Sequence, residues 1–170
     1  FRSTAIVAVE KSLGKKEFYA VTETTKPTEV QVEYFDLEGN FLEMHVLPLA
    51  FNEYGIKRLP LEALQQIKFT DYITRFIFDR SEGTEQFFFN ESGRPREAKD
   101  FKDFQLTTRK DGKQVVVIET KVALLDVWIT GRKEHVHADR NFLVLLPGKH
   151  EIVIESGKKL VKDDIILKFR

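Results

Sequence analysis

Two-residue alternation is the feature of this sequence that most limits what it can fold into. In TEVQVEYFD, residues 28–36, Val30, Val32 and Tyr34 fall on one face, and Gln31 and Glu33 fall on the other. That is the signature of a half-buried strand. Asp36-Leu37-Glu38-Gly39-Asn40 then supplies a turn and FLEMHVLPL runs back from Phe41, which predicts a hairpin. The pattern recurs in TAIVAVE (4–10) and EFYAVT (17–22) around Gly14, and in DYITRFIFDR and EQFFFNE around Ser81-Glu82-Gly83. In the second half DFQLTTRK and QVVVIET flank Asp111-Gly112, a strong short-range hairpin signal. KVALLDVWIT, FLVLL, HEIVIES and DDIILKF follow, with a polar loop between the first two and Pro147-Gly148 between the second and third. Residues 59–67, LPLEALQQI, leave two readings open: a short helical turn with Pro60 near its start, or a loop leading to a strand.

No segment has the length of a core helix, and β-α-β alternation is missing. The expectation is an all-β chain of about 12 to 14 short strands, arranged as tandem immunoglobulin-like β-sandwiches. ESGRPREAKD, 91–100, is polar, carries a Gly and a Pro and has no core-forming run. It divides the chain into an expected first sandwich, 1–95, and a second, 96–170. The 15 Phe are enough to fill more than one sandwich interior. A chain that begins mid-pattern on Phe1 is expected to be a piece of a longer polypeptide, with processing at a natural terminus as the alternative.

Composition narrows the function classes. Lys plus Arg and Asp plus Glu balance at 27 each, so no net field steers the chain toward nucleic acid or an acidic membrane surface. No apolar run approaches the roughly 20 residues of a membrane span. The absence of cysteine excludes a disulfide framework and a cysteine nucleophile. The glycines are scattered among turns, with no phosphate cradle or nucleophile elbow, so no cofactor is expected.

Four groups of residues have chemistry to weigh. His135 and His137 would share one side of a strand, with Asp139 extending the series. A metal site needs a third ligand converging from elsewhere, so a solvated loop is the preferred reading and no metal is expected. Paired carboxylates for sugar hydrolysis need a defined separation. None of the 27 acidic residues stands out as such a pair, and no catalytic residue is assigned. Tyr72, Phe88 (within Phe87-Phe88-Phe89) and Trp128 are candidate sugar platforms, against burial in a core or interface. Asn90-Glu91-Ser92 matches the glycosylation acceptor pattern.

Asp139-Arg140-Asn141-Phe142, followed by Leu145-Leu146-Pro147-Gly148, resembles the closing strands of family 2 β-mannosidases. There a Ser-Asp-Asn-hydrophobic segment leads into Leu-Leu-Pro-Gly-Glu and a Val-rich strand. This chain departs by placing Arg140 between the acid and Asn141, and Lys149 where Glu is usual. Phe18–Thr22, Val32–Gly39, and Val122-Ala123 through Val127-Trp128-Ile129 are similar to further strands of that family, so the resemblance spans most of 17–157.

The resemblance implies a modular glycoside hydrolase whose catalytic glutamates lie in a (β/α)8 barrel, with this chain as the portion after the barrel. The barrel of the same parent polypeptide would then be its partner, with a mannoside or mannan as the sugar in play and export as the family expectation. Related enzymes of other specificities share such terminal domains. The segment 137–155 is read as a packing hairpin: Leu143 and Leu145 enter a core, Pro147-Gly148 reverses the chain, and Ile152 and Ile154 return. Asp139 and Asn141 would cap the loop by local hydrogen bonds. The competing readings are a carbohydrate-binding module with an exposed aromatic face, a structural or adhesion sandwich, and a metal enzyme built on His135, His137 and Asp139.

Overall fold

A computed structural model describes residues 4–12, 15–22, 28–50, 55–64, 71–78, 84–90 and 103–169. The chain divides into two compact units, Phe1–Arg94 and Pro95–Arg170. Each is an antiparallel two-sheet sandwich. The expected boundary segment 91–100, the turns at Gly14 and Ser81-Glu82-Gly83, and Glu91 and Ser92 of the glycosylation triplet lie outside the described residues.

In the first unit β1 (Thr4–Ser12), β2 (Lys15–Thr22) and β5 (Gly55–Arg58) form one sheet in that order. The second sheet uses β3 (Thr28–Phe35), β4 (Phe41–Leu49), β6 (Tyr72–Phe78) and β7 (Thr84–Asn90), in the order β4-β3-β6-β7. The alternation in β3 acts as expected: Val30, Val32 and Tyr34 are buried, while Gln31 and Glu33 are only partly so. The β3–β4 turn is closed by the Asp36 carbonyl and carboxylate, which accept from the Gly39 and Asn40 amides at 3.0 and 2.8 Å. Gly39 sits at φ 89°, where a side chain would be strained. Ile6, Phe18 and Ala20 from one sheet meet Val30, Val32, Leu47, Phe76 and Phe78 from the other. Phe18 lies at the centre of this core, its ring 5.0 Å from Phe76 and 5.3 Å from Phe88.

The open reading of 59–67 resolves to a single helical turn, α1 (Leu61–Leu64). The Leu59 amide donates to the Phe18 carbonyl at 2.9 Å, so the segment is clipped to β2 and puts Leu59 and Leu61 into the core. β5 is not legible in the sequence. It has four residues, and its one large apolar side chain, Ile56, points outward at 72% exposure.

In the second unit β8 (Phe104–Thr108), β9 (Gln114–Thr120), β11 (His137–Ala138) and β13 (Gly148–Glu155) form a sheet in the order β11-β13-β9-β8. β10 (Leu124–Gly131), β12 (Leu143–Leu145) and β14 (Ile165–Lys168) form the other, with β10 central. The β8–β9 hairpin turns at Asp111-Gly112, with Gly112 at φ 82°.

The expected hairpin at Pro147-Gly148 is overturned. β12 pairs with β10, whereas β13 pairs with β9 in the opposite sheet. Pro147-Gly148 is a crossover between sheets, with Gly148 at φ 138° opening β13 opposite Thr120. Leu145, Ile152 and Ile154 do share one core, but they reach it from opposite walls.

Three primary amides bind backbone as if they were peptide units. The Gln86 amide accepts from the Ile6 N–H at 2.7 Å and donates to the Ile6 carbonyl at 3.3 Å, joining β7 to β1. Gln114 does the same to Leu160 at 2.8 and 2.9 Å. Asn141 does it to Ile129 at 2.8 and 3.4 Å. Removing one partner of a buried hydrogen bond costs about 1–3 kcal/mol. Asn141→Ala is therefore expected to lower unfolding stability in urea by about that amount. Asn141→Asp should also be destabilised at neutral pH, because it puts a carboxylate against the Ile129 carbonyl. It should recover in acid, where the protonated carboxyl donates again. Equal stability of Asn141→Asp and the parent across that range would contradict the assignment.

Candidate functional site

The histidine series stands on the surface. His135, His137 and Asp139 are exposed, and His137 opens the two-residue strand β11 opposite Glu155, where a loop was expected. Among the described residues no group of three His, Asp or Glu is arranged to hold a metal ion.

Several carboxylates are engaged by cations. Glu17, 7% exposed, accepts from Arg58 at 2.7 Å and from the Tyr19 hydroxyl at 2.8 Å. Glu33 and Glu85 share Arg75, at 3.3 and 2.5 Å. Glu151 pairs with Arg109 at 2.7 Å, Glu134 with Lys158 at 2.8 Å, and Asp103 with Lys162. Hydrogen bonds from Lys162 and from Arg109 hold the Asp103 and Glu151 carboxyls, respectively, below their ordinary range. The acid of a glycosidase needs a shift in the opposite direction.

The aromatic candidates separate by face. In β7 the middle ring of Phe87-Phe88-Phe89 turns inward: Phe88 packs on Phe18 and Phe76. Phe87 and Phe89 lie under cations instead, Arg75 at 5.6 Å and Lys16 at 5.3 Å from the ring centres. Tyr72 is half-buried against the same core, edge-on to Tyr34 at 5.7 Å. Neither Tyr72 nor Phe88 presents the free platform that sugar stacking requires.

Trp128 is different. It alternates with the buried Val127 and Ile129, so it points to the outside of the β12-β10-β14 sheet. Phe142 stacks on it nearly parallel, with centroids 5.9 Å apart and planes at 15°. The Lys168 ammonium lies 5.3 Å from its ring centre, and Lys168 is its cross-strand partner in β14. Phe142 is 71% exposed and sits at φ 56°. For a bulky residue that conformation is an outlier costing on the order of 1–3 kcal/mol. The residues before it hold it there. The Asn141 amide is locked to Ile129, and the Asp139 amide donates to the Val153 carbonyl at 2.9 Å. Asn141 thus reaches a strand 12 residues away instead of capping its own loop. Asp139 is exposed, 4.0 Å from Arg140, whose guanidinium donates to the Glu151 carbonyl. Leu145 is buried, and the Leu146 carbonyl is 2.6 Å from His150 Nε2. Nothing in the sequence marks Phe142 as strained or exposed, because a hydrophobic residue after Asn reads as the start of a strand.

A second cluster also escapes sequence reasoning. His45 and Glu43, two residues apart on β4, lie opposite the buried Val32 and Tyr34. His45 Nε2 is 3.4 Å from Glu43 Oε1, close enough for an ion pair but not aligned for a hydrogen bond, and it is buried without one. Its ring meets Tyr34 edge-on at 6.2 Å. Two open grooves of about 660 and 530 Å³ flank Gln114 in the second unit. They present Lys113, Lys158, Lys159 and Lys162 with threonines, while the Gln114 amide is already engaged by Leu160.

No sequence-family model and no curated protein sequence matches the chain. Solved structures do. A β-D-mannosidase from Dictyoglomus thermophilum is similar over 98% of this chain at 15% identity, with a TM-score of 0.59. The exo-chitosanase of Amycolatopsis orientalis is similar over 98% at 11% identity, with a TM-score of 0.51. The chain spans 21% and 25% of those proteins' lengths. At such identities the likeness is one of fold.

Burial first, then the neighbouring Tyr72 and Glu43, pushes the Tyr34 phenol well above its ordinary value. Above about pH 10 an unfolded tyrosine loses its proton while Tyr34 keeps its own. The native state then binds more protons, so stability falls as pH rises, by up to about 1.4 kcal/mol per unit. Alkaline denaturation should show this slope and Tyr34→Phe should remove it. Phenolate absorbance should show Tyr34 ionising only with unfolding. Ionisation of all four tyrosines before unfolding would contradict it.

Proposed function

We propose that the chain is a non-catalytic accessory portion of a β-mannosidase-like glycoside hydrolase of family 2. In this reading two immunoglobulin-like sandwiches pack on a catalytic barrel elsewhere in the same polypeptide. The fold likeness to stretches of a β-mannosidase and an exo-chitosanase, each four to five times longer, supports it. So does the pairing of Glu17, Glu33, Glu85 and Glu151 with arginines and of Glu134 and Asp103 with lysines.

The observation that carries the reading is the outer face of the β1-β2-β5 sheet. Ile6, Phe18 and Ala20 face the core, so the alternate residues face away from it. Register sets Val7 beside Tyr19 and Arg58, and Ala5 beside Val21 and Ile56. Val7, Val9 and Ile56 are 46%, 44% and 72% exposed. These exposed apolar residues, bordered on the same face by the Glu17–Arg58 pair, fit an interaction surface with a polar rim. A larger body of the same polypeptide would cover it.

Two measurements test the proposal. Purified chain should hydrolyse an aryl β-mannoside no faster than buffer, and turnover that survives repurification would overturn the reading. Val7→Lys with Ile56→Lys should leave unfolding stability within about 0.5 kcal/mol, as expected for surface positions. It should also remove most binding of a hydrophobic dye. A loss of several kcal/mol would mean the chain itself covers that face.

A further inference from the structure

We propose that Phe142, backed by Trp128, is a carbohydrate-stacking site that takes the apolar face of one pyranose ring. This inference does not depend on the accessory reading, because it concerns a surface complete within the second unit. The stack has three tiers. Phe142 immediately precedes β12, Trp128 lies on β10, and Lys168 lies on β14, on the other side of β10. One face of Phe142 rests on Trp128, and the ring's 71% exposure leaves the other to solvent. The Asn141–Ile129 clasp and the left-handed backbone at Phe142 fix the ring before any ligand arrives. Strain held at an exposed aromatic is the kind of outlier from which a functional role is inferred, and preorganisation lowers the cost of binding.

The occupant follows from size and surroundings. In the second unit Phe142 and Val161 are the exposed large apolar side chains among the described residues, and Val161 lines the groove beside Phe104. A phenylalanine offers on the order of 150–250 Å² in all. A protein interface needs about 800 Å² on each side. An isolated ring matches a small ligand that is flat and apolar on one face and polar around its edge. A β-linked pyranose has that form, its axial C–H bonds making the flat face and its hydroxyls the edge. Arg140 is turned to the Glu151 carbonyl on β13 and Lys168 lies behind Trp128, so what the platform offers a sugar is the stacking contact itself. Single-stranded nucleic acid would need a basic groove along its phosphates. Here Arg140 is balanced by Asp139, and the chain carries no net charge.

Trp128 is the chain's only tryptophan, so its emission reports on the platform directly. The full chain is titrated with β-1,4-mannotriose and, separately, with cellotriose. The expected result is a saturable change in emission with at least one of them, with a dissociation constant of about a millimolar, as befits a single stack. Phe142→Asn removes the ring while keeping a residue at ease with positive φ, so it should fold and bind at least about tenfold more weakly. Phe142→Tyr should retain binding. Phe41→Ala, which removes an exposed phenylalanine of the first unit, should leave the titration unchanged. No saturable response to either sugar would overturn the proposal. So would a response that survives in Phe142→Asn while circular dichroism shows it folded.

Discussion

Backbone groups that end a sheet without a neighbour must still be hydrogen-bonded when they are buried, and both sandwiches meet that requirement with side-chain amides. Gln86 gives Ile6 the partner that β1 lacks in its own sheet, and in doing so ties the edge of one sheet to the edge of the other. Asn141 continues the three-residue β12 alongside β10. Gln114 anchors the segment leading to β14 through Leu160, itself a core residue. The hydrophobic clusters supply the driving force, and the closed ends spare them the cost of unpaired backbone groups at the sheet margins.

Aromatic side chains do different work on the two faces of a sheet. Inside the first unit Phe18, Phe76 and Phe88 meet at tilted or edge angles, the geometry preferred by their quadrupoles. Outside, Phe87 and Phe89 are roofed by Arg75 and Lys16, and Trp128 has Lys168 above it. The cations cover apolar surface with their stems and keep their charge in water. Among the described residues of the second unit, Phe142 is the exposed aromatic without such a roof, whereas Phe104 and Trp128 have Lys162 and Lys168 over them.

How much of this was legible depends on the range of the interaction. The strands of residues 28–49 and 104–120 were readable because alternation and a glycine turn are local. β5 and β11 were not, since two to four residues carry too little pattern. The resemblance pointed to 139–148 as a packing element, which fits the burial of Leu145, but its assignment as a hairpin failed. Whether a turn joins neighbours in one sheet or bridges two is decided by strands far away in the chain. The same holds for Phe142, whose exposure and strain are set by Ile129, Trp128 and Val153.

The crossover at Pro147-Gly148 bears on how the second unit is assembled in time. A hairpin there would have zipped locally, within microseconds. Instead β13 must find β9, with Ile152 opposite Val116, while β12 finds β10, with Leu145 opposite Leu124. Neither search is finished by closing the short link between them. Such distant pairings slow folding by adding loop closures that precede any reward. The last of them is β14, which completes the far side of β10. A ribosome making this chain would therefore hold the sandwich open at Trp128 until Ile165–Lys168 had been synthesised.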